Sequence, residues 1–269
     1  MKTPPVRTVL PVIFLIDVSG SMGRHAKMES VNTAMAESLE QLDEMMGTST
    51  NVEIKVNVLK FGCSEGDPCQ WMCPEMAQLV AFEWVNLEAD SNTPLGEAYF
   101  ELESKLTRSE FMVSPSGSFA PVIILITDGV PSNRQKAKEG LEALRGNSWF
   151  THAERMAIGV DMREEDDTSF LDEFVRGAEH GMVFREVANA ASLISSIEGV
   201  VVNATMIGAT RLKPAQNEYV GKLENTGNTA GKEEEESPLD PMVELDPPNI
   251  PPIVTEDPEE EEDDGIEEP

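Results

Sequence analysis

Cysteine, histidine and tyrosine are nearly absent from this 269-residue chain, which holds three, three and two of them. Three cysteines, an odd number, do not make a disulfide framework. Cys63, Cys69 and Cys73 fall in one loop with Gly62, Gly66, Pro68 and Pro74, without the C-x2-C pairs typical of zinc sites. The nearest histidines in sequence, His25 and His152, are far away. Reduced cytosolic thiols are the expectation, with a redox-sensitive or zinc-bound loop as the alternative. Basic residues are also scarce, 20 Lys and Arg against 50 Asp and Glu. A net charge of −30 argues against nucleic-acid binding. No apolar run approaches the ~18 residues of a membrane helix. Lys2 and Arg7 before Val9–Ile16 mimic a short signal peptide. Pro11 interrupts that run, Asp17 ends it, and no small-residue cleavage site follows. A buried first strand and a cytoplasmic location are expected.

The charge is unevenly spread. Residues 232–269 hold 17 acids against one lysine, a charge of −16, and leave −14 for the rest. A hydrophobic content of 40% suffices for one sizeable core. The expected organisation is one domain over 8–207, a linker over 208–231 and an acidic tail over 232–269. Beyond about residue 215 little could bury enough surface to offset ordering entropy, so disorder is expected there. The tail reads as a solvated charge run.

What the chain does have is alternation of strand and helix patterns. Val12–Ile16 and Val122–Ile126 are continuous apolar runs rich in β-branched residues, as in parallel strands buried on both faces. Val31, Met35, Leu39, Leu42 and Met46 recur at helical spacing, which predicts a helix over Met28–Met46 ended by Gly47. Val52–Val58 alternates as a strand with one wetter face would. A weaker strand is expected around Leu79–Phe82. Thr93-Pro94-Leu95-Gly96 opens a helix with Leu95, Tyr99, Leu102 and Leu106 inward. Further helices are expected over Gln135–Leu144, Thr168–Arg176 and Ala190–Met206, and strands over Val122–Thr127, Arg155–Val160 and Met182–Phe184. This order predicts a doubly wound, mostly parallel α/β sheet, Rossmann-like, with helices on both faces and right-handed crossovers.

Both apolar runs end in an aspartate. The first leads into Asp17-Val18-Ser19-Gly20-Ser21 and the second into Thr127-Asp128-Gly129. Carboxylates at the C-terminal ends of such strands lie in the crevice where open α/β sheets bind ligands. Two carboxylates and several hydroxyls offer only hard oxygen donors, which suit Mg²⁺ rather than zinc. Serines two apart in a turn can aim both hydroxyls at one point, and Gly20 permits a tight backbone there. A lone D-x-S-x-S would be a weak signal, because Asp and Ser are common in turns.

The motif Asp17-Val18-Ser19-Gly20-Ser21 resembles the D-x-S-x-S signature of von Willebrand factor type A domains. Thr93 and Asp128 stand where that family places its remaining metal-site residues. The resemblance covers roughly residues 8–207 and implies a metal-ion-dependent adhesion site. In it Ser19, Ser21 and often Thr93 would coordinate Mg²⁺, or Mn²⁺, directly, with Asp17 and Asp128 frequently acting through water. One position is left for an oxygen donor, such as a carboxylate, from a partner protein. Asn92 stands where the family often has glycine. Leu10-Pro11-Val12, Phe82-Glu83-Trp84, Thr93-Pro94-Leu95-Gly96, Ala120–Gly129 and Trp149-Phe150 are more similar to bacterial TerY-like members, associated with tellurium resistance. That resemblance implies a kinase or PP2C-type phosphatase encoded nearby as partner. The alternative is a subunit working with an AAA+ ATPase of the MoxR or chelatase type.

Enzyme readings find little support. There is no G-x-S-x-G elbow around Ser19 or Ser21, and no P-loop. His25, His152 and His180 are not obviously placed as a base. An aspartyl-phosphate mechanism on Asp17 would want a second acid where Ser19 stands. A metal-dependent phosphatase or hydrolase is therefore the weakest alternative to a non-enzymatic binding module.

Overall fold

The structure is a computed structural model. It describes residues 7–46 and 52–187, apart from 65, 115–116 and 163–165, and scattered positions between 191 and 199. All belong to one compact unit, Met1–Gly221. The Gly47 helix stop, most of the 190–206 helix, the 208–231 linker and the acidic tail lie outside the described residues.

The sheet is built on β1 (Thr8–Asp17), β2 (Val52–Phe61), β3 (Cys69–Trp71), β4 (Ala77–Gln78), β5 (Val122–Thr127), β6 (Glu154–Val160) and β7 (Met182–Val187). Its order is β3-β2-β1-β5-β6-β7, with β4 also pairing β2. Strands β2, β1, β5, β6 and β7 run parallel, and β3 and β4 pair with β2 antiparallel. The helices are α1 (Lys27–Met46), α2 (Leu95–Lys105), α3 (Arg134–Gly146), the short α4 (Ser148–Thr151) and α5 (Ser169–Val175). This is the mostly parallel α/β architecture expected from the strand–helix alternation.

Burial explains why β1 is almost wholly apolar. Leu10, Val12, Phe14 and Ile16 pack under Val31, Met35, Leu39 and Leu42 of α1. Ile13 and Leu15 face Tyr99 and Leu102 of α2 and Leu141 and Leu144 of α3. Fully burying each such side chain stabilises the fold by roughly 1.5–3 kcal/mol. Leu95, Tyr99, Leu102 and Leu106 are all buried as predicted. In α5, Leu171 and Phe174 are fully buried, whereas Phe170 is only half-buried.

Three expectations fail. Leu79–Ala81 is a 3-10 turn, not a strand, and the antiparallel pairing lies just before it at Ala77–Gln78. Cys69 is not in a loop but in β3, opposite Phe61. The predicted wet face of β2 is closed at Asn57, which is fully buried. Asn57 Nδ2 donates to the carbonyls of Cys73 and Glu75 at 2.9 and 3.1 Å, and its Oδ1 accepts from the Val58 amide at 2.8 Å. A buried amide so satisfied carries little of the usual desolvation penalty.

Candidate metal centre

Strand order reverses at β1: β2 lies on one side of it and β5 on the other. Ligand crevices of open α/β sheets form at such switch points, beyond the strands' C-terminal ends. Asp17 closes β1 and Asp128 follows β5, so the sheet itself brings these two distant carboxylates together.

Four of the five predicted residues form one hydrogen-bonded chain. Asp17 Oδ1 accepts the Ser19 amide at 2.8 Å, and the two serine hydroxyls lie 3.1 Å apart. Ser21 Oγ donates to Asp128 Oδ1 at 2.7 Å. Thr93, the fifth, joins through space: a β-carbon placed on Gly129 would lie 3.7 Å from Ser21 Oγ and 3.8 Å from Thr93 Oγ1. The absent side chain of Gly129 keeps open a cradle that both hydroxyls face. Asp17, Ser19 and Thr93 are buried, and the Asp128 side chain is fully covered.

The loop before Thr93 knits the site together. The Asp90 amide donates to the Val18 carbonyl, the Gly20 amide to Ser91, and the Ser91 amide to Gly62. Gly62 is needed where it stands, at φ +110, because a β-carbon there would lie 2.7 Å from the Asn92 carbonyl oxygen. Asn92 thus faces the loop with its backbone. On the other side the Thr93 amide donates to Ser132 Oγ at 2.9 Å, and the Ser132 amide returns a bond to the Thr93 carbonyl at 3.0 Å.

Sequence reasoning missed three participants. Thr127 donates its hydroxyl to Asp17 Oδ2 at 2.5 Å; its signal was a hydroxyl ending an otherwise apolar strand. Ser132 braces Thr93 and left no signal beyond being a serine in a loop. Lys27, the first residue of α1, places Nζ 2.8 Å from Asp128 Oδ2. A cation at a helix start runs against the helix dipole, and that was its available signal.

Burial pushes the Asp17 carboxyl up to about 6. Hydrogen bonds from Thr127 and Ser19 pull it down, and nearby Asp128 adds to the rise. A buried carboxylate in this state gains from an arriving cation. Among the described residues no group of three His, Cys, Asp or Glu side chains could hold a metal ion. The donors here are hydroxyls and carboxylates only, a set that fits a hard divalent cation rather than a soft one. The cysteines are elsewhere: all three are free, and burial first, then Glu97 and Glu101, push the Cys69 thiol up to about 12. Such a thiol is a poor nucleophile and a poor metal ligand at neutral pH. The histidines are engaged away from the serines, His25 with Asp161, His152 with the Ser148 carbonyl and His180 with Glu154.

No family model matches the sequence, and no curated protein is recognisably similar to it. Solved structures are similar in fold. The pilus adhesin SpaC of Lactobacillus rhamnosus GG matches with a TM-score of 0.53 at 12% identity, over 73% of this chain and 30% of its own. The D319A mutant of the PilB minor pilin of Streptococcus sanguinis gives 0.51 at 14% identity, over 75% and 61%. The vWF domain of the type V pili tip protein Mfa5 of Porphyromonas gingivalis gives 0.50 at 12%, over 76% of this chain and 96% of that domain. The chain thus spans less than a third of the adhesin but nearly all of the isolated vWF domain. These identities speak to architecture alone. The described domain has the von Willebrand factor A-type fold, with Asp17, Ser19, Ser21, Thr93 and Asp128 gathered at its switch point.

Proposed function

We propose that this chain is a non-enzymatic, metal-dependent protein-binding module. Asp17, Ser19, Ser21, Thr93 and Asp128 hold Mg²⁺ or Mn²⁺, and an acidic side chain of a partner completes the coordination. The observation that carries this reading is the hydrogen-bonded chain Asp17–Ser19–Ser21–Asp128 at the end of β1. Neutral hydroxyl donors would leave a bound Mg²⁺ electrophilic, so that it could accept a carboxylate from a partner. No histidine is bonded to either serine, so the serines lack the base that nucleophilic catalysis asks of them.

The physiological setting is proposed from the sequence resemblance: a scaffold or regulator in a cytoplasmic, TerY-like stress-response system, with a kinase or PP2C-type phosphatase as partner. No helix among the described residues is long and apolar enough to cross a membrane. The test is capture of the products of neighbouring genes by the tagged full chain, in Mg²⁺ and in EDTA. Capture in Mg²⁺ that disappears in EDTA and with Thr93→Ala is expected. Capture that persists in EDTA would place the docking surface away from the metal.

A further inference from the structure

The site contains one charged group that metal binding as described above does not use. Lys27 Nζ sits 2.8 Å from Asp128 Oδ2, its side chain 12% exposed and that of Asp128 fully covered. Asp128 Oδ1 is taken by the Ser21 hydroxyl, so both oxygens of this carboxylate already have partners. The chain spends conformational freedom to place this lysine. His25 and Ala26, the two residues before it, both adopt left-handed backbone, at φ 54 and 57, a conformation unfavourable for residues with a β-carbon. The ammonium also begins α1, against the helix dipole. An ion pair this covered is not the weakly coupled surface type.

Charge counting shows what the lysine changes. Asp17 and Asp128 carry −2, and Lys27 brings the site to −1. A divalent cation then makes it +1, and one carboxylate from outside makes it neutral. Without Lys27 the metal alone would neutralise the site, and the incoming carboxylate would leave it at −1. We propose that Lys27 redistributes affinity between the two binding events, which the metal–carboxylate contact itself couples: it weakens the bare metal and strengthens capture of an acidic ligand by the metal-loaded site. The module then fills with metal chiefly when an acidic partner is present. Linkage requires the coupling to be reciprocal, so carboxylate must raise metal affinity by the same factor that metal raises carboxylate affinity. This inference rests on the metal-centre reading above.

The test is Mn²⁺ titration of the full chain, followed by the EPR signal of the free ion, with and without acetate as the carboxylate probe. Wild type is compared with Lys27→Met, which keeps the apolar stem without the charge, and Lys27→Arg, which keeps the charge. In wild type, acetate is expected to tighten Mn²⁺ binding by about fivefold or more, the lower end of ordinary coupling factors. Lys27→Met is expected to bind Mn²⁺ tighter than wild type without acetate, and to need more acetate than wild type for a given tightening, because the direct contact with the ion remains while the lysine's attraction is gone. Lys27→Arg is expected to keep the wild-type metal affinity and acetate dependence. Circular dichroism checks that each variant is folded, and Lys27→Gln replaces Lys27→Met if that one is not. A folded uncharged variant with wild-type affinity and wild-type acetate dependence would overturn this role and leave Lys27 a structural pair. Weaker Mn²⁺ binding in that variant would overturn it too, because the lysine would then support the ion. Absence of Mn²⁺ binding by wild type, with or without acetate, is a different failure: it removes the metal centre itself.

Discussion

Asp17 sets the balance between stability and binding at this site. Its carboxyl is raised from 3.8 to about 6 by burial, so its contribution to stability is fully present below pH 3.8. That contribution is lost as pH rises through about 6. Above that pH the metal-free fold holds a buried carboxylate at a cost, which a bound cation removes. Asp17→Asn should therefore melt no lower than wild type in EDTA at pH 8, and should gain nothing from Mg²⁺. Wild type at 100 times its dissociation constant should gain about 2.7 kcal/mol, on the order of 5–10 °C for a domain of this size. Thermal melts of both proteins in EDTA and in Mg²⁺ measure this, and equal Mg²⁺ shifts would contradict it. At this scale much was legible in sequence, because D-x-S-x-S is local and each aspartate ends an apolar strand. Thr127, Ser132 and Lys27 were not, since their roles depend on partners 110, 39 and 101 residues away.

Helices α2 and α3 meet at backbone distance, and α2 carries Thr93 at its entrance. A β-carbon on Gly96 would lie 2.5 Å from the Lys136 carbonyl carbon, and one on Gly140 would lie 2.7 Å from the Gly96 carbonyl oxygen. Alanine has the better helix propensity by about 1 kcal/mol, but this overlap is with backbone, which cannot rotate away. Gly96→Ala should therefore destabilise the fold by at least ~1–3 kcal/mol and shrink the Mg²⁺-induced shift by displacing Thr93. Gly146→Ala, with open space around its β-carbon position, should be neutral or slightly stabilising. Urea midpoints of the two variants decide this, and equal midpoints would contradict the close-approach account. The periodicity of α1, α2 and α3 was readable because each buries one continuous stripe. The β2 edge was not. Its β3 and β4 partners are three and two residues long, too short for any period to show, and the wet face read for Asn57 was closed by the connection between them, at Cys73 and Glu75.

The whole chain carries −30, yet the proposed ligand is acidic. Long-range repulsion should oppose approach, while the direct metal–carboxylate contact is local. Raising ionic strength from 0.01 to 0.15 M shortens the Debye length from about 30 to about 8 Å. Association of an acidic peptide with the Mg²⁺-loaded chain should speed up over that range, the reverse of ordinary charge-steered binding. Stopped-flow rates at the two salt concentrations measure it, and slower association in the higher salt would mean attraction, not repulsion, governs the encounter. At this scale the layered α/β order was readable from the alternation of apolar runs and helical stripes. Partner identity is not, because it depends on chemistry outside the chain. The proposed function depends on one ion at one place. A Mn²⁺ titration read by EPR, on wild type, Asp17→Asn and Thr93→Ala of the full chain, examines that ion. One Mn²⁺ per wild-type chain, lost in Asp17→Asn and weakened in Thr93→Ala, is the expected result. Stoichiometric binding that survives both substitutions would place the ion elsewhere, and no binding in wild type would show that these five side chains do not form a metal centre.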